Sequence, residues 1–270
     1  MRADYNRTGR RSRRRGLALG NRLQNNENNP RLSIVIPAYN EERRIADTLE
    51  TIARYLGAQP FSYEVLVVDD GSTDRTAELC RKFAAGHPWL SLLQCPANFG
   101  KGNAVREGVL NAVGEYVLFC DADLATPVEE LDGFWPHING GADIVIASRP
   151  IRGSHLVKRQ PIYRETAGRA FNHVVQMLAV PGIHDTQCGF KLFTAEAAKE
   201  IFRRCTLKGF GFDFEALHIA QRLGYRIKEV PVRWYHREGS KVKLLRDGFR
   251  MLADLVRVRL RHRALGRRDG

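Results

Sequence analysis

Glu115-Tyr-Val-Leu-Phe-Cys-Asp-Ala-Asp-Leu-Ala-Thr126 is an apolar run that ends in two carboxylates, Asp121 and Asp123, one residue apart. Short continuous apolar runs mark strands buried on both faces, as in parallel sheets. In open α/β sheets, ligands bind beyond the carboxyl ends of the strands. Two hard oxygen ligands placed there suit Mg²⁺ or Mn²⁺, and such an ion suits a diphosphate. An Asp-x-Asp pair also caps helices and fills turns, so its meaning rests on the neighbouring segments.

Those segments repeat the pattern. Leu32–Ile36, Val65–Val68, Leu90–Leu93 and Asp143–Ala147 are further apolar runs of strand length. Ile45, Leu49, Ile52 and Leu56 recur at helical spacing, with Asn40 placed to cap them. Helices are expected at Ala104–Val113 and Val128–Ile138, and after the turn Asp69-Asp-Gly-Ser-Thr-Asp74. Strands alternating with helices predict an α/β fold, a doubly wound and mostly parallel sheet with helices on both faces. After Ser148 the rhythm breaks into a polar, basic loop at 149–162, then a helix near Arg164–Leu178. Thr194 is placed to cap a helix through Phe202, a helix is expected near Phe214–Leu223, and Arg226–Trp234 reads as extended. Lys243–His262 reads as an amphipathic helix, with Leu244, Leu245, Phe249, Leu252, Leu255 and Val256 on one face and five basic residues on another. Such a helix suits a membrane interface.

The 270 residues suffice for one large α/β domain. The net charge of +13 sits at the two ends. Residues 1–31 hold nine Arg against Asp4 and Glu27, and residues 237–270 hold eleven Lys or Arg against four acids. The predicted organisation is a basic disordered arm (1–30), a catalytic domain (31–236) and a basic amphipathic helix and tail (237–270). Basic ends imply a polyanionic neighbour, and an anionic membrane surface is the expected one. Specific nucleic-acid binding is not expected, because Tyr5 is the one aromatic in the first 31 residues. The five cysteines form no Cys-x-x-Cys pair, which disfavours a zinc site or a disulfide framework. No apolar run approaches the ~20 residues of a membrane-spanning helix, and the Arg-rich start lacks the apolar stretch of a secretory signal. A cytoplasmic protein peripherally associated with a membrane is expected.

Four loops follow the first four strands: Pro37-Ala-Tyr-Asn-Glu41, Asp69–Asp74, Asn98-Phe-Gly-Lys-Gly102 and Asp121-Ala-Asp123. A parallel sheet brings all four to one edge. Together they offer carboxylates, a Lys, metal ligands and Gly-permitted backbone approach, a set that suits a sugar nucleotide.

Pro37-Ala-Tyr-Asn-Glu41, Val67-Val-Asp-Asp-Gly-Ser-Thr-Asp74 and Asp121-Ala-Asp123 resemble the signature of family 2 inverting glycosyltransferases of GT-A fold. Within that family the chain is most similar to the dolichyl-phosphate β-glucosyltransferase group. That likeness rests on Asp185-Thr-Gln-Cys-Gly-Phe-Lys-Leu-Phe193, Gly211-Phe-Asp-Phe-Glu215, Glu229-Val-Pro-Val-Arg-Trp234 and Glu238-Gly-Ser-Lys241. The resemblance implies a UDP-sugar donor, a polyprenyl-phosphate acceptor and Mg²⁺ or Mn²⁺. Pro37, Tyr39 and Glu41 would line the nucleotide site, Asp69 would contact the uracil edge, and Asp70 would support that loop. Lys101 would reach donor phosphate, Asp121 would face ribose or metal, and Asp123 would be the main metal ligand. Arg149 and Arg164, or Arg169 in place of Arg164, would hold the acceptor phosphate. Asp185, Gln187 and Lys191 would bound the sugar pocket, and Asp213 would sit near the acceptor.

Ala125 stands where relatives that transfer mannose commonly carry an amide, which favours UDP-glucose over GDP-mannose. A phosphate acceptor is largely dianionic near neutral pH and needs little help from a base. Transfer to a hydroxyl would need one, with Asp213 as the candidate.

Overall fold

The computed structural model describes residues 29–158, 173–237 and 244–266. Strands β1 (Leu32–Ala38), β2 (Tyr63–Asp69), β3 (Leu90–Gln94), β4 (Tyr116–Cys120) and β5 (Ile144–Ser148) alternate with helices α1 (Ile45–Gly57), α2 (Thr76–Ala85), α3 (Lys101–Asn111) and α4 (Trp135–Asn139). There follow β6 (His155–Lys158), a helical stretch α5 at 173–178, β7 (Phe190–Thr194), α6 (Ala195–Arg204), α7 (Phe212–Leu223), β8 (Ile227–Pro231), β9 (Arg233–Tyr235) and α8 (Leu244–Arg261). The main sheet runs β3-β2-β1-β4-β7-β5-β8, parallel except for β7, and β6 pairs with β9 in a small second sheet.

The five early strands form where the apolar runs lie. Alternate residues of β1 serve two cores: Val35 joins the one formed with α3, α6, α7 and α8, and Ile34 and Ile36 join the one under α1 and α2. Every residue of β1 is buried, as expected for a strand covered on both faces. The expected apolar stripe of α1 is its buried face.

Several expectations are corrected. Asn40 does not cap α1, which starts after Arg44 with no side-chain cap. Asn40 instead adopts φ 50, and its Oδ1 accepts from Thr73 N at 2.8 Å. The helix expected at 128–138 splits into a 3₁₀ turn, Val128–Gly133, and the short α4. Pro136 lies in that stretch, has no N–H to donate and is favoured in a first helical turn. The loop expected at 149–162 contains β6, which pairs with Arg233–Tyr235. Thr194 does cap α6, its Oγ1 accepting from Ala197 N at 3.3 Å.

β7 is the strand that the apolar pattern does not announce. It lies antiparallel between β4 and β5, with Cys120 opposite Phe190. Lys191 interrupts its apolar run yet is only 2 % exposed. Helix α8 is also turned relative to expectation. Met251, Asp254, Leu255, Val258 and His262 face inward, while Leu252, Val256 and Leu260 are exposed. All five cysteines are free, and only Cys95 is not fully buried. Among the described residues no helix is long and apolar enough to cross a membrane.

Candidate active site

A cleft of about 970 Å³ opens at the carboxyl edge of the sheet. Pro37 lies near the end of β1, Tyr39 and Glu41 follow that strand, Asp70 follows β2, Lys101 begins α3, and Asp121 and Asp123 follow β4; all of these line it. The first two loops are tied together by Asn40 N to Ser72 Oγ (2.9 Å) and Glu41 N to Thr76 Oγ1 (2.8 Å). These bonds hold the polypeptide around Tyr39 against the β2–α2 turn.

Asp69 and Asp70 differ. Asp69, expected at the uracil edge, is 1 % exposed and is not among the lining residues. Its carboxylate accepts from Ser72 N (3.0 Å) and Gln94 Nε2 (3.2 Å) and so shapes the turn. Asp70 lines the cleft and accepts from Phe99 N (3.0 Å) and Gly100 N (2.7 Å), which holds the β3–α3 loop and Lys101 behind it. Gly100, with φ 106, passes so close to the 206–210 segment that a Cβ would lie 2.4 Å from the Lys208 carbonyl oxygen.

The Asp pair sits on a fixed turn. Asp121 N donates to Gly189 O at 3.0 Å, and Thr48 Oγ1 on α1 donates to Ala122 O at 2.6 Å. Asp123 Oδ1 accepts from Ala125 N at 3.0 Å across Leu124, whose φ of 43 lies in the left-handed region. Such backbone persists only where its surroundings dictate it. Lys101 Nζ lies 2.7 Å from Asp121 Oδ1. Burial, and next the charge of Asp121, lift the Asp123 carboxyl above its ordinary value. Burial opposes the charge on Lys101, but Asp121 and Asp213 together hold its ammonium above the usual range.

The residues fit a divalent ion. Among the described residues no group of three or more His, Cys, Asp or Glu forms a closed cage. Asp121 and Asp123 would offer the ion two hard oxygen ligands, with Lys101 on Asp121, and would leave its remaining positions open. That arrangement suits Mg²⁺, which keeps water and binds through one or two carboxylates plus substrate phosphate.

A second layer lies under the cleft. Asp213, Lys191 and Asp185 do not line it. Lys191 Nζ donates to Asp213 Oδ1 (2.5 Å) and to Cys188 O (2.6 Å), and the two side chains are 2 % and 3 % exposed. Burial raises the Asp213 carboxyl, with Lys191 opposing. Arg149 does line the cleft, but its Nε and Nη2 grip Asp185 at 2.7 and 2.9 Å, and its guanidinium lies 5.5 Å from the Trp234 ring centre. Burial alone would lift Asp185; the Arg149 fork holds it below its ordinary value. Gln187 lines the cleft, and its Nε2 is buried with no hydrogen-bond partner among the described residues. Arg164 and Arg169 lie outside the described residues.

The far wall was not anticipated. It consists of Thr206–Phe210, Trp234, His236, Arg237 and four residues of α8, namely Arg250, Met251, Asp254 and Arg257. The last four fall at i, i+1, i+4 and i+7, a one-face spacing that is present in the sequence. Glu215, fully buried on α7, anchors this wall: it accepts from Thr206 N (2.9 Å), Leu207 N (2.7 Å), Thr206 Oγ1 (2.8 Å) and His262 Nε2 (2.9 Å). Burial opposes that charge, but these bonds, led by His262, hold the Glu215 carboxyl below its ordinary value.

The sequence model of glycosyl transferase family 2 matches residues 33–202. The dolichyl-phosphate beta-glucosyltransferase ALG5A of Trichomonas vaginalis is 38% identical over 242 residues, covering 86% of this chain and 74% of that protein. The human dolichyl-phosphate beta-glucosyltransferase is 35% identical over 247 residues, covering 86% and 75%. Among solved structures, glucosyl-3-phosphoglycerate synthase of Mycobacterium tuberculosis, in complex with Mn²⁺, UDP-glucose and phosphoglyceric acid, superposes with a TM-score of 0.65 at 21% identity, over 85% of this chain and 79% of that one. That likeness concerns the fold, which is of GT-A type. By sequence and by fold, the chain belongs to glycosyl transferase family 2, in the group that resembles the dolichyl-phosphate β-glucosyltransferases.

Proposed function

We propose that the protein transfers glucose from UDP-glucose to a polyprenyl phosphate of dolichyl type, inverting the anomeric carbon. The products are β-glucosyl polyprenyl phosphate and UDP. The observation that carries this reading is the Asp121–Asp123 turn with Lys101 on Asp121, inside a cleft walled by the loops after β1, β2 and β3. The relatives' names support the sugar and the acceptor, glucose and dolichyl phosphate, and UDP as its carrier is supported by the UDP-glucose complex of the glucosyl-3-phosphoglycerate synthase of the same fold.

Pro37, Tyr39, Glu41 and Asp70 would hold the nucleotide, and Lys101 would turn to the donor phosphates. A divalent ion bound at Asp121 and Asp123 supplies neutralisation of the charge that builds on the departing diphosphate. An acceptor phosphate oxygen forms the new bond to the anomeric carbon from the face opposite the leaving group. The bond from that carbon to the UDP oxygen breaks, and UDP takes its electron pair. With a dianionic phosphate as nucleophile, positioning and charge stabilisation account for the rate. The place of Asp213 agrees with this, because it is buried against Lys191 below the lining of the cleft, away from an acceptor bound there. Gln187 Nε2 would donate to a sugar hydroxyl. The basic ends and the exposed apolar residues of α8 support peripheral binding to an anionic membrane.

The test incubates the purified chain with Mg²⁺, a short polyprenyl phosphate and either UDP-glucose or GDP-mannose, followed by mass spectrometry. A lipid-phosphate hexose from UDP-glucose alone is expected. Product from GDP-mannose alone would replace the donor assignment, and UDP release with no lipid product would replace the acceptor.

A further inference from the structure

We infer that Glu229, on the edge strand β8, is a positioning residue for the transfer reaction: by fastening the turn at 184–187 it sets Arg149 and Gln187 in the cleft. The inference rests on the reaction proposed above and adds to it a residue outside the cleft.

Glu229 is not among the lining residues, and its side chain is only 11% exposed. It lies opposite Ile146 in the parallel pairing of β5 with β8. Side chains alternate along a strand, so it shares a face with Ile227, which packs on the core formed with α6 and α7. A carboxylate in such a place is costly unless its oxygens are bonded. Both oxygens are bonded here. Oε1 accepts from Asp185 N at 3.0 Å, and Oε2 accepts from His184 N at 2.9 Å and from His184 Nδ1 at 2.8 Å. One carboxylate thus holds two consecutive backbone N–H groups and fixes the place of the turn that they begin.

Asp185 is what that turn carries. It is fully buried and accepts from Arg149 N (3.0 Å), Arg149 Nε (2.7 Å), Arg149 Nη2 (2.9 Å) and Gln187 N (3.2 Å). A shift of the Asp185 backbone must break these four bonds or carry their donors along. Arg149 lines the cleft with its guanidinium 5.5 Å from the Trp234 ring centre, and the buried Gln187 Nε2 lines it without a partner among the described residues. Both therefore take their places from Glu229 by way of Asp185. The loops after β1 and β2 are separated from β8 by β4, β7 and β5 in the sheet, so a change at Glu229 should spare the nucleotide.

Glu229→Ala removes all three bonds, and Glu229→Gln keeps one accepting oxygen. The native chain and both variants are labelled with 5-fluorotryptophan, and fluorine NMR reads the three tryptophans separately, Trp234→Phe assigning the line of interest. Trp89 and Trp135 pack on Tyr63 and Tyr116, the first residues of β2 and β4, at the opposite end of the sheet, and serve as internal controls. In Glu229→Ala only the Trp234 line should move. Its kcat/KM for transfer from UDP-glucose to a short prenyl phosphate should fall about 100-fold, the effect of a displacement of about 1 Å. Glu229→Gln should lie between, and the affinity for UDP with Mg²⁺, measured by calorimetry, should stay native in both. Native-like turnover in Glu229→Ala, or lower turnover with an unmoved Trp234 line, would overturn the inference and leave the proposed function standing. Loss of UDP binding in both variants would also overturn it, since Glu229 would then support the fold as a whole. No turnover of any prenyl phosphate by the native chain would overturn the proposed function, while the Trp234 line still reports whether Glu229 sets Arg149.

Discussion

A Cβ placed on Gly189 would lie 2.1 Å from Asp121 Oδ2, and the Gly189 carbonyl accepts from Asp121 N at 3.0 Å. The residue before β7 therefore holds the Asp121 backbone through its carbonyl, and its missing side chain leaves the space that the Asp121 carboxylate occupies beside the cleft.

Gly189→Ala is the first prediction. The methyl group would push the Asp121 carboxylate aside, and displacements of about 1 Å at a reacting centre can cost ~100-fold in rate. Turnover should fall by that order and the metal concentration for half-maximal activity should rise. Native-like turnover and metal dependence would refute the positional role.

Asp123→Ala should abolish turnover, since on the proposed function it would remove the main ligand of the ion that neutralises the leaving diphosphate. Asp213→Asn should only slow it, and its larger effect should be on stability. Breaking a buried pair by removing one partner costs about 3–5 kcal/mol. The double variant Asp213→Asn/Lys191→Met should recover part of that loss, because no buried charge is then left alone. Chemical denaturation of the three chains measures the coupling; simple additivity would show that the pair is not energetically linked.

Glu215 and Asp185 make the fold acid-sensitive. Both have carboxyls held below their ordinary values in the folded protein. Their contribution is fully present above the unfolded-state values and is lost as pH falls through the lower folded-state values. Stability should therefore decline below about pH 4.5, and the slope should be shallower in Glu215→Gln. Equal slopes in the two proteins would remove Glu215 from that account.

Lys199 of α6 closes the end of α3, the helix that begins with Lys101. Its Nζ donates to the carbonyls of Val109 (2.9 Å), Leu110 (2.7 Å) and Ala112 (2.6 Å). Lys199→Met keeps the aliphatic stem and removes all three bonds. A loss of about 1.5–3 kcal/mol is expected, the range for hydrogen bonds to a charged group. An unchanged melting temperature would show that water replaces the ammonium at no cost.

The exposed ridge of α8 should govern membrane binding. Leu252→Gln/Val256→Gln/Leu260→Gln should melt as the native chain does, because these side chains already face solvent. Its sedimentation with phosphatidylglycerol vesicles should fall well below that of the native chain. Equal vesicle binding would place the membrane contact elsewhere.

β1, β2 and β4, with the loops at their carboxyl ends, were legible because each carries an apolar run buried on both faces, and the half-exposed edge strand β3 was legible from its three leucines. Burial alone selects such residues, with no information from distant parts of the chain. The turn roles of Asp69 and Asn40 were not legible in that way. Both residue types suit caps, turns and ligand contacts alike, and the choice was made by partners 25 to 33 positions away: Gln94 for Asp69 and Thr73 for Asn40. β7 escaped notice because Lys191 breaks its pattern, and a lysine is tolerated there only because Asp213, 22 residues later, meets it in the same buried space.

By itself, the sequence determined the alternation of strands and helices, the edge of the sheet where the carboxylates gather, and the family, since these depend on local pattern and contiguous motifs. Only the tertiary structure decided which carboxylates face the cleft, that Arg149 is committed to Asp185, and that α8 lies along the cleft with Arg250, Met251, Asp254 and Arg257 in its far wall. Those outcomes depend on which charges meet once water is excluded, and that is settled by packing between segments far apart in the chain.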